Sequence, residues 1–194
     1  VITDIGTIYY DYIVIATGST NNYFGNKDIE KNSMVMKTIP EALNIRSLIL
    51  ENFELALQTN DREERKALMD CVIVGGGPTG VELAGALAEM KKAVLPKDYP
   101  DLDISMMGIH LVQGGGRVLD AMSEKSSKAA EKFLKQLGVK IHVNTIVTNY
   151  DGNVVTTKGG EEFNSQAVIW SAGVKGAPVD GIVDALDRAS RIRV

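Results

Sequence analysis

Cysteine is almost missing from this sequence. The 194 residues include one, Cys71, so no internal disulfide can form and a secreted, disulfide-stapled scaffold is excluded. A basic excess is missing too: Lys+Arg number 21 against 25 Asp+Glu, a net charge of −4 that offers nucleic acid no positive face. No apolar run reaches the ~18 residues that span a bilayer, and no signal-peptide pattern is visible. Histidine is scarce, and His110 and His142 lie in apolar stretches with no cysteine or acid at ligand spacing, so no metal site is expected. Cys71 opens an apolar run without a redox partner and reads as an inert packed thiol. Ser19, Ser171 and Ser190 sit in no nucleophile-elbow pattern. A starting Met is lacking as well; the chain opens on Val1-Ile2-Thr3 in a β-rich stretch, which suggests a piece of a longer protein.

Glycine, by contrast, is in surplus, 19 residues against a usual share of about 7%. The pattern around these glycines organises the chain. Ile8–Ser19 is β-branched and aromatic and closes on Gly18, which predicts a buried strand entering a tight turn. Residues 20–37 are polar and predict loop. A helix is expected over 38–60, with Pro40 in its first turn and Leu43, Leu48, Leu50, Phe53 and Leu57 at a rough helical period. The charged run Asp61–Lys66 reads as a solvated helix start. Cys71–Val74 is a short strand, and the helix after it carries adjacent stripes of Val81, Ala84, Ala88 and Leu83, Leu87, Met90. Residues 96–107 read as an insertion loop. Ile109–Val112 is a second strand. Ser123 can cap a helix with Ala129, Ala130, Phe133, Leu134 and Leu137 inward, ended by Gly138, before a third strand at Val139–Val143. Residues 145–170 then read as a three-stranded antiparallel meander joined by glycine turns. The fold class is therefore α/β: a Rossmann-like dinucleotide-binding domain with a central parallel sheet and an appended antiparallel β-meander. Within it, 71–143 forms the Rossmann core.

The informative stretch is Val72-Ile73-Val74-Gly75-Gly76-Gly77-Pro78-Thr79-Gly80-Val81-Glu82. Gly75-x-Gly77-x-x-Gly80 follows a strand and opens a helix, the context that lifts the pattern above a bare match. Gly75 would allow the sharp turn, Gly77 would leave no Cβ in the way of a pyrophosphate, and Gly80 would let helix and strand approach. The helix start offers free N–H groups to phosphates. A P-loop is excluded, because no Gly-Lys-[Ser/Thr] follows. Such a site expects an acid at the end of the second strand to grip the adenosine ribose. Here Gln113 stands there, followed by Gly114, with Arg117 near enough in sequence to meet a 2′-phosphate. An amide does not repel that phosphate as a carboxylate would. NAD(H) is the expected ligand; relaxed use of NADP(H) is one reading, and plain NAD(H) use with Arg117 as a surface residue is the other.

The sequence resembles the two-dinucleotide-binding-domain flavoprotein oxidoreductases, and within them the type II NADH dehydrogenases, the single-subunit NADH:quinone oxidoreductases. Four stretches carry the likeness: Tyr12-Ile13-Val14-Ile15-Ala16-Thr17-Gly18; Glu41-Ala42-Leu43 with Arg46, Phe53, Glu54 and Ala56; Val74–Gly85, containing Gly-Pro-Thr-Gly-Val-Glu; and Val168-Ile169-Trp170-Ser171-Ala172-Gly173-Val174. The resemblance implies that Gly75, Gly77, Pro78, Thr79 and Gly80 line the pyrophosphate, with Gly76 in the same cofactor-binding loop and Glu82 toward the nicotinamide. An ordinary first-turn acid favoured by the helix dipole is the alternative for Glu82. It further implies that Ala172 and Gly173 border the nicotinamide near a flavin, and that Ala16, Thr17 and Gly18 belong to the FAD side. Gln113 departs from the family's usual glutamate.

The implied organisation is 1–37 as the edge of an FAD domain and its crossover, 38–170 as the NAD(P)-binding domain, and 171–194 as the return crossover and truncated start of a C-terminal FAD-domain segment. No N-terminal Gly-x-Gly-x-x-Gly for FAD and no membrane-binding C-terminal portion are present. The implied parent passes hydride from NADH to FAD and electrons to a membrane quinone, with no catalytic side chain required. It would sit peripherally on the cytoplasmic side of the inner membrane, its dimerisation left open, while the present chain would be soluble, membrane-free and inactive by itself. Two rivals stay open: a related flavoprotein with a non-quinone acceptor, and a nucleotide-binding regulatory module without turnover.

Overall fold

The computed structural model describes residues 1–182 and 185–193. Two compact units emerge, one of residues 21–173 and one formed by 1–20 with 174–194. The boundaries expected from sequence, near 37 and 170, differ because residues 21–37 build into the larger unit. Helix α1 (Lys27–Asn32) replaces part of the expected loop there, capped by Asn26, whose side chain accepts the Ile29 N–H. Ile29 is buried, and Asn26 and Asn32 donate to the carbonyls of Thr148 and Tyr150. Met34 then bridges Ile169 in parallel.

In the smaller unit, β1 (Ile2–Thr3) and β2 (Gly6–Thr7) form a hairpin, and β3 (Ser19–Asn21) pairs with a strand at Val174–Gly176. The buried strand expected over 8–19 is not formed. Tyr9, Tyr12 and Val14 are all about nine-tenths exposed, and residues 9–17 join no strand. An apolar strand needs a paired neighbour and a covering layer, and the described residues supply neither.

After α1 the larger unit continues with α2 (Ile39–Gln58), started by a capping box in which Thr38 accepts from Glu41 N–H and Glu41 accepts from Thr38 N–H. Its buried face is Ile45, Ile49, Phe53 and Ala56; Leu43 and Leu57 of the expected period are largely exposed. Helix α3 (Arg62–Met69) follows, its first amides taken by Asp61. Then come β4 (Cys71–Val74), α4 (Pro78–Ala93), the short α5 (Leu95–Asp98), a 3-10 turn at Ile104–Met106, β5 (Ile109–Val112), α6 (Glu124–Gln136) and β6 (Lys140–His142). The segment expected as a loop over 96–107 is packed, because Leu95, Tyr99, Leu102, Ile104 and Met107 all enter the core. On α6 the inward face is Ser127, Ala130 and Leu134, whereas Ala129 and Phe133 face out. Ser127, whose Oγ donates to Val118 O at 2.6 Å, takes the place an apolar reading gave to Ala129.

The meander is β7 (Val147–Tyr150), β8 (Val154–Thr157) and β9 (Glu162–Asn164). The last strand, β10 (Ala167–Trp170), does not belong to it but pairs in parallel with β4. The central sheet is thus all parallel, in the order β10-β4-β5-β6. Alternation divides its two faces: Cys71, Ile73, Ile109, Leu111, Ala167 and Ile169 pack under the helices, while Val72, Val74, Val112, Val168 and Trp170 pack against the meander and α1. The Val174–Gly176 strand, β11, closes the order.

Candidate functional site

The strand order places the site. From β4 the chain steps to β5 and β6 on one side and returns to β10 on the other, so the switch point lies between β4 and β10. Ligands in such sheets bind beyond the carboxyl ends of the strands at that point. Gly75–Gly77 leave β4 there and Ser171–Gly173 leave β10.

The loop is held by hydrogen bonds from three directions. Gly75 N–H donates to Val112 O (2.8 Å), Gly76 N–H to Gln113 Oε1 (2.8 Å), and Leu119 N–H to Gly76 O (2.7 Å). Ser171 Oγ shares its proton between Val74 O (2.9 Å) and Gly75 O (3.1 Å). The glycines divide by what a Cβ would meet. At Gly75, with φ +114°, it would lie 2.7 Å from Ala172 N, and at Gly80 it would lie 1.9 Å from Gly75 O. At Gly77 nothing stands within 4 Å. Two glycines are therefore demanded by packing, and the third faces open space. Pro78 begins α4 immediately after, so the first-turn amides of Thr79 and Gly80 have no intrahelical carbonyl to reach. An open, Cβ-free face beside free amides and a positive helix end fits a pyrophosphate.

The remaining expected site residues fall as follows. Ala172 backs Gly75, and Gly173 is exposed beside it. Gln113 is half-buried, with its carbonyl oxygen committed to the loop and its amide nitrogen turned toward Gly115. Gly114 is exposed, and a Cβ there would meet Ile146 at 3.5 Å. Arg117 turns into its own loop, donating from Nη2 to the carbonyls of Asp120 (2.6 Å) and Met122 (3.0 Å). Glu82 is exposed and lies beyond the first turn of α4, which removes the helix-dipole account of it. Ala16, Thr17 and Gly18 lie in the smaller unit, where Thr17 and Gly18 share a shallow hollow of about 200 Å³ with Gly176, Ala177 and Pro178.

Sequence reasoning missed two clamps, Ser171 Oγ and Leu119 N–H. The Ser171 signal was available, since a small hydroxyl residue directly after a buried strand can bond the neighbouring strand end. The Leu119 amide carries no such signal.

The far end of the sheet is chemically quieter. Cys71 is buried, and desolvation, with the Asp70 charge second, pushes its thiol up to about 12. His110 and His142 stack at 5.3 Å, with Nδ1 of the first 3.2 Å from Nε2 of the second, a pairing sequence reasoning did not foresee. Among the described residues no group of three or more His, Cys, Asp or Glu is placed to hold a metal ion. Nor is any described helix long and apolar enough to cross a membrane.

Comparison with known proteins places this geometry. The chain is 34% identical to the type II NADH:quinone oxidoreductase Ndh of Mycobacterium tuberculosis, over 95% of its own length and 42% of that relative. It is also 34% identical to the type II NADH:quinone oxidoreductase of Haemophilus influenzae, over 93% of itself and 43% of the relative. Among solved structures, NDH2 from Plasmodium falciparum in complex with NADH superposes with a TM-score of 0.80 at 25% identity, over 88% of this chain and 36% of that one. The chain therefore spans about two fifths of the length of these curated relatives. The family model described as pyridine nucleotide-disulphide oxidoreductase matches residues 3–189, and this chain belongs to that family.

Proposed function

We propose that residues 21–173 are the NAD(H)-binding domain of a type II NADH:quinone oxidoreductase. The observation that carries the reading is the glycine loop at the switch between β4 and β10, closed on one side by Gln113 and backed by Ser171–Gly173. The relatives named above for that activity, and the NADH complex with the same fold, support it. Gly75, Gly76, Gly77, Pro78, Thr79 and Gly80 hold the pyrophosphate against backbone amides. Gln113 and Gly114 meet the adenosine ribose, Arg117 firms the loop beneath it, and Ala172 and Gly173 border the nicotinamide with Glu82 on the helix side.

In the whole protein, NADH held here would supply a hydride to FAD, which would pass electrons on to a quinone at the membrane. The chain's own contribution is orientation and electrostatics, since the hydride chemistry belongs to the cofactors. Ala16, Thr17 and Gly18 are assigned to the FAD side of that whole protein. NADP(H) is a further ligand of the same cleft: with its Oε1 held by Gly76, Gln113 offers a donor and no negative charge.

The whole protein, assayed with FAD, NADH and a soluble quinone, is expected to consume NADH saturably and only with quinone present. NADH loss that ignores quinone but follows another acceptor would move the assignment to a sister activity. No turnover together with nucleotide binding would move it to a regulatory module.

A further inference from the structure

Phe24 stands out among the exposed groups of the larger unit. The residue is 71% exposed although Trp170, its neighbour, is buried. Its backbone sits at φ +52°, the left-handed region that side chains other than glycine rarely adopt. A bulky residue is held in such a conformation only when its surroundings fix it, and such residues gather at functional sites. Here the fixing groups are visible. Asn22 Oδ1 accepts the Phe24 N–H at 2.9 Å, Asn22 O accepts from Trp170 Nε1 at 3.0 Å, and Asn22 N–H donates to Gly173 O at 3.3 Å. The ring meets Trp170 edge-on, with centroids 6.5 Å apart and planes at 67°. It also covers Gly173, where a Cβ would lie 2.8 Å from Phe24 Cζ. The contacts run in a line: Gly75 touches Ala172, Gly173 follows it in the chain, and Phe24 lies over Gly173.

We propose that Phe24 is a positioning residue for the nicotinamide ring, an aromatic surface at the end of the cleft opposite Gln113. The inference rests on the dinucleotide reading above and adds to it a side chain that recognises the redox-active ring. A flat heteroaromatic ring stacked or placed edge-on against phenylalanine gains more than buried area alone provides. The anchored turn at Asn22 keeps the platform in place before the ligand arrives, which lowers the ordering cost of binding. Trp170 and Gly173 cover only part of the side chain, and the residue otherwise stays open to solvent.

The test compares two ligands on the 194-residue chain by calorimetry: NADH, and ADP-ribose, which is the same molecule without nicotinamide. Trp170 is the sole tryptophan, so quenching of its emission reports NADH occupancy beside Phe24 independently. Phe24→Leu is expected to raise the NADH Kd by about two- to twelvefold and to leave the ADP-ribose Kd unchanged. Phe24→Tyr is expected to restore NADH binding. The side chain is exposed, so neither change threatens folding, and melting curves of both variants verify this. An unchanged NADH Kd in Phe24→Leu, or parallel loss of NADH and ADP-ribose, would overturn the role of Phe24 while leaving the dinucleotide reading intact. Wild-type chain that binds neither ligand overturns both.

Discussion

Two glycines three positions apart carry opposite demands. A Cβ on Gly80 would sit 1.9 Å from Gly75 O, a backbone atom that cannot step aside without moving the loop. Gly80→Ala should therefore lower stability by about 1–3 kcal/mol, as overpacking does, and abolish NADH binding together with it. Gly77 has an ordinary φ of −74° and no atom within 4 Å of its would-be Cβ. Gly77→Ala should leave the melting curve within about 0.5 kcal/mol of wild type yet weaken NADH. Melting curves with and without NADH separate the two, because a ligand that binds only the folded form raises the midpoint. A Gly77→Ala variant that melts and binds as wild type would remove the pyrophosphate from this face. Gln113 sets a second contrast. Gln113→Glu keeps an acceptor for Gly76 N–H but places a negative charge where a 2′-phosphate would lie. NADPH affinity should fall about tenfold or more, roughly 1.4 kcal/mol, with NADH nearly unchanged. A strong wild-type preference for NADH that Gln113→Glu leaves unchanged would refute the relaxed-specificity reading.

At the scale of elements, legibility followed burial on both faces. Cys71–Val74 and Ile109–Val112 are short continuous apolar runs, the mark of strands covered above and below, and they lie where the sequence predicts. The glycine loop is legible for the same reason, since strand, turn and helix start stand together in one stretch. The segments that escaped depend on distant partners. The period of α2 suggests Leu43 inside, yet which side meets the sheet is set by α3 and α4, and Ile45 and Ile49 face it instead. The 163–170 run looks like one strand of a meander, but Ser165 breaks it. Its buried Oγ donates to Asp70 O at 2.6 Å and accepts from Ala167 N–H at 3.1 Å, which detaches β9 and delivers β10 to the edge of β4. Because β10 brings Ser171–Gly173 to the cleft, this hydroxyl positions half of the candidate site from its far end. Ser165→Ala leaves two buried backbone groups short of a partner and should cost about 1–3 kcal/mol. Urea unfolding measures the loss; a cost under about 0.5 kcal/mol would show that other contacts place β10.

Taken whole, the molecule gives the two ends of its sheet different work. The carboxyl end leaves first-turn backbone amides of α4 open, whereas the amino end closes polar groups inside. There Asp70, the buried C-cap of α3, accepts from Gly108 N–H at 2.5 Å and pairs with Lys66, and His110 Nε2 lies 3.8 Å from its carboxylate. Burial first, then the charge of Lys140, then His142 and Lys66 push the His110 imidazole down to about 3; burial leads the same downward shift at His142, with Glu161 opposing it and Lys140 adding to it. Both rings are thus neutral in the folded chain at pH values where the unfolded chain protonates them. Since the unfolded state binds more protons below its ordinary imidazole value of about 6.5, stability is complete above that pH and drains as pH falls from there toward about 3. The upper part of that window, about pH 7 to 5, lies above the range where unfolded carboxylates titrate, about 3.9 to 4.3, so the loss there belongs to histidine. Melting midpoints should fall across it in the wild type and fall less in His110→Asn, which carries no titrating ring. Parallel curves for the two proteins between pH 7 and 5 would mean that His110 is protonated as readily in the fold as out of it, and that the amino end is not the closed polar layer its contacts describe.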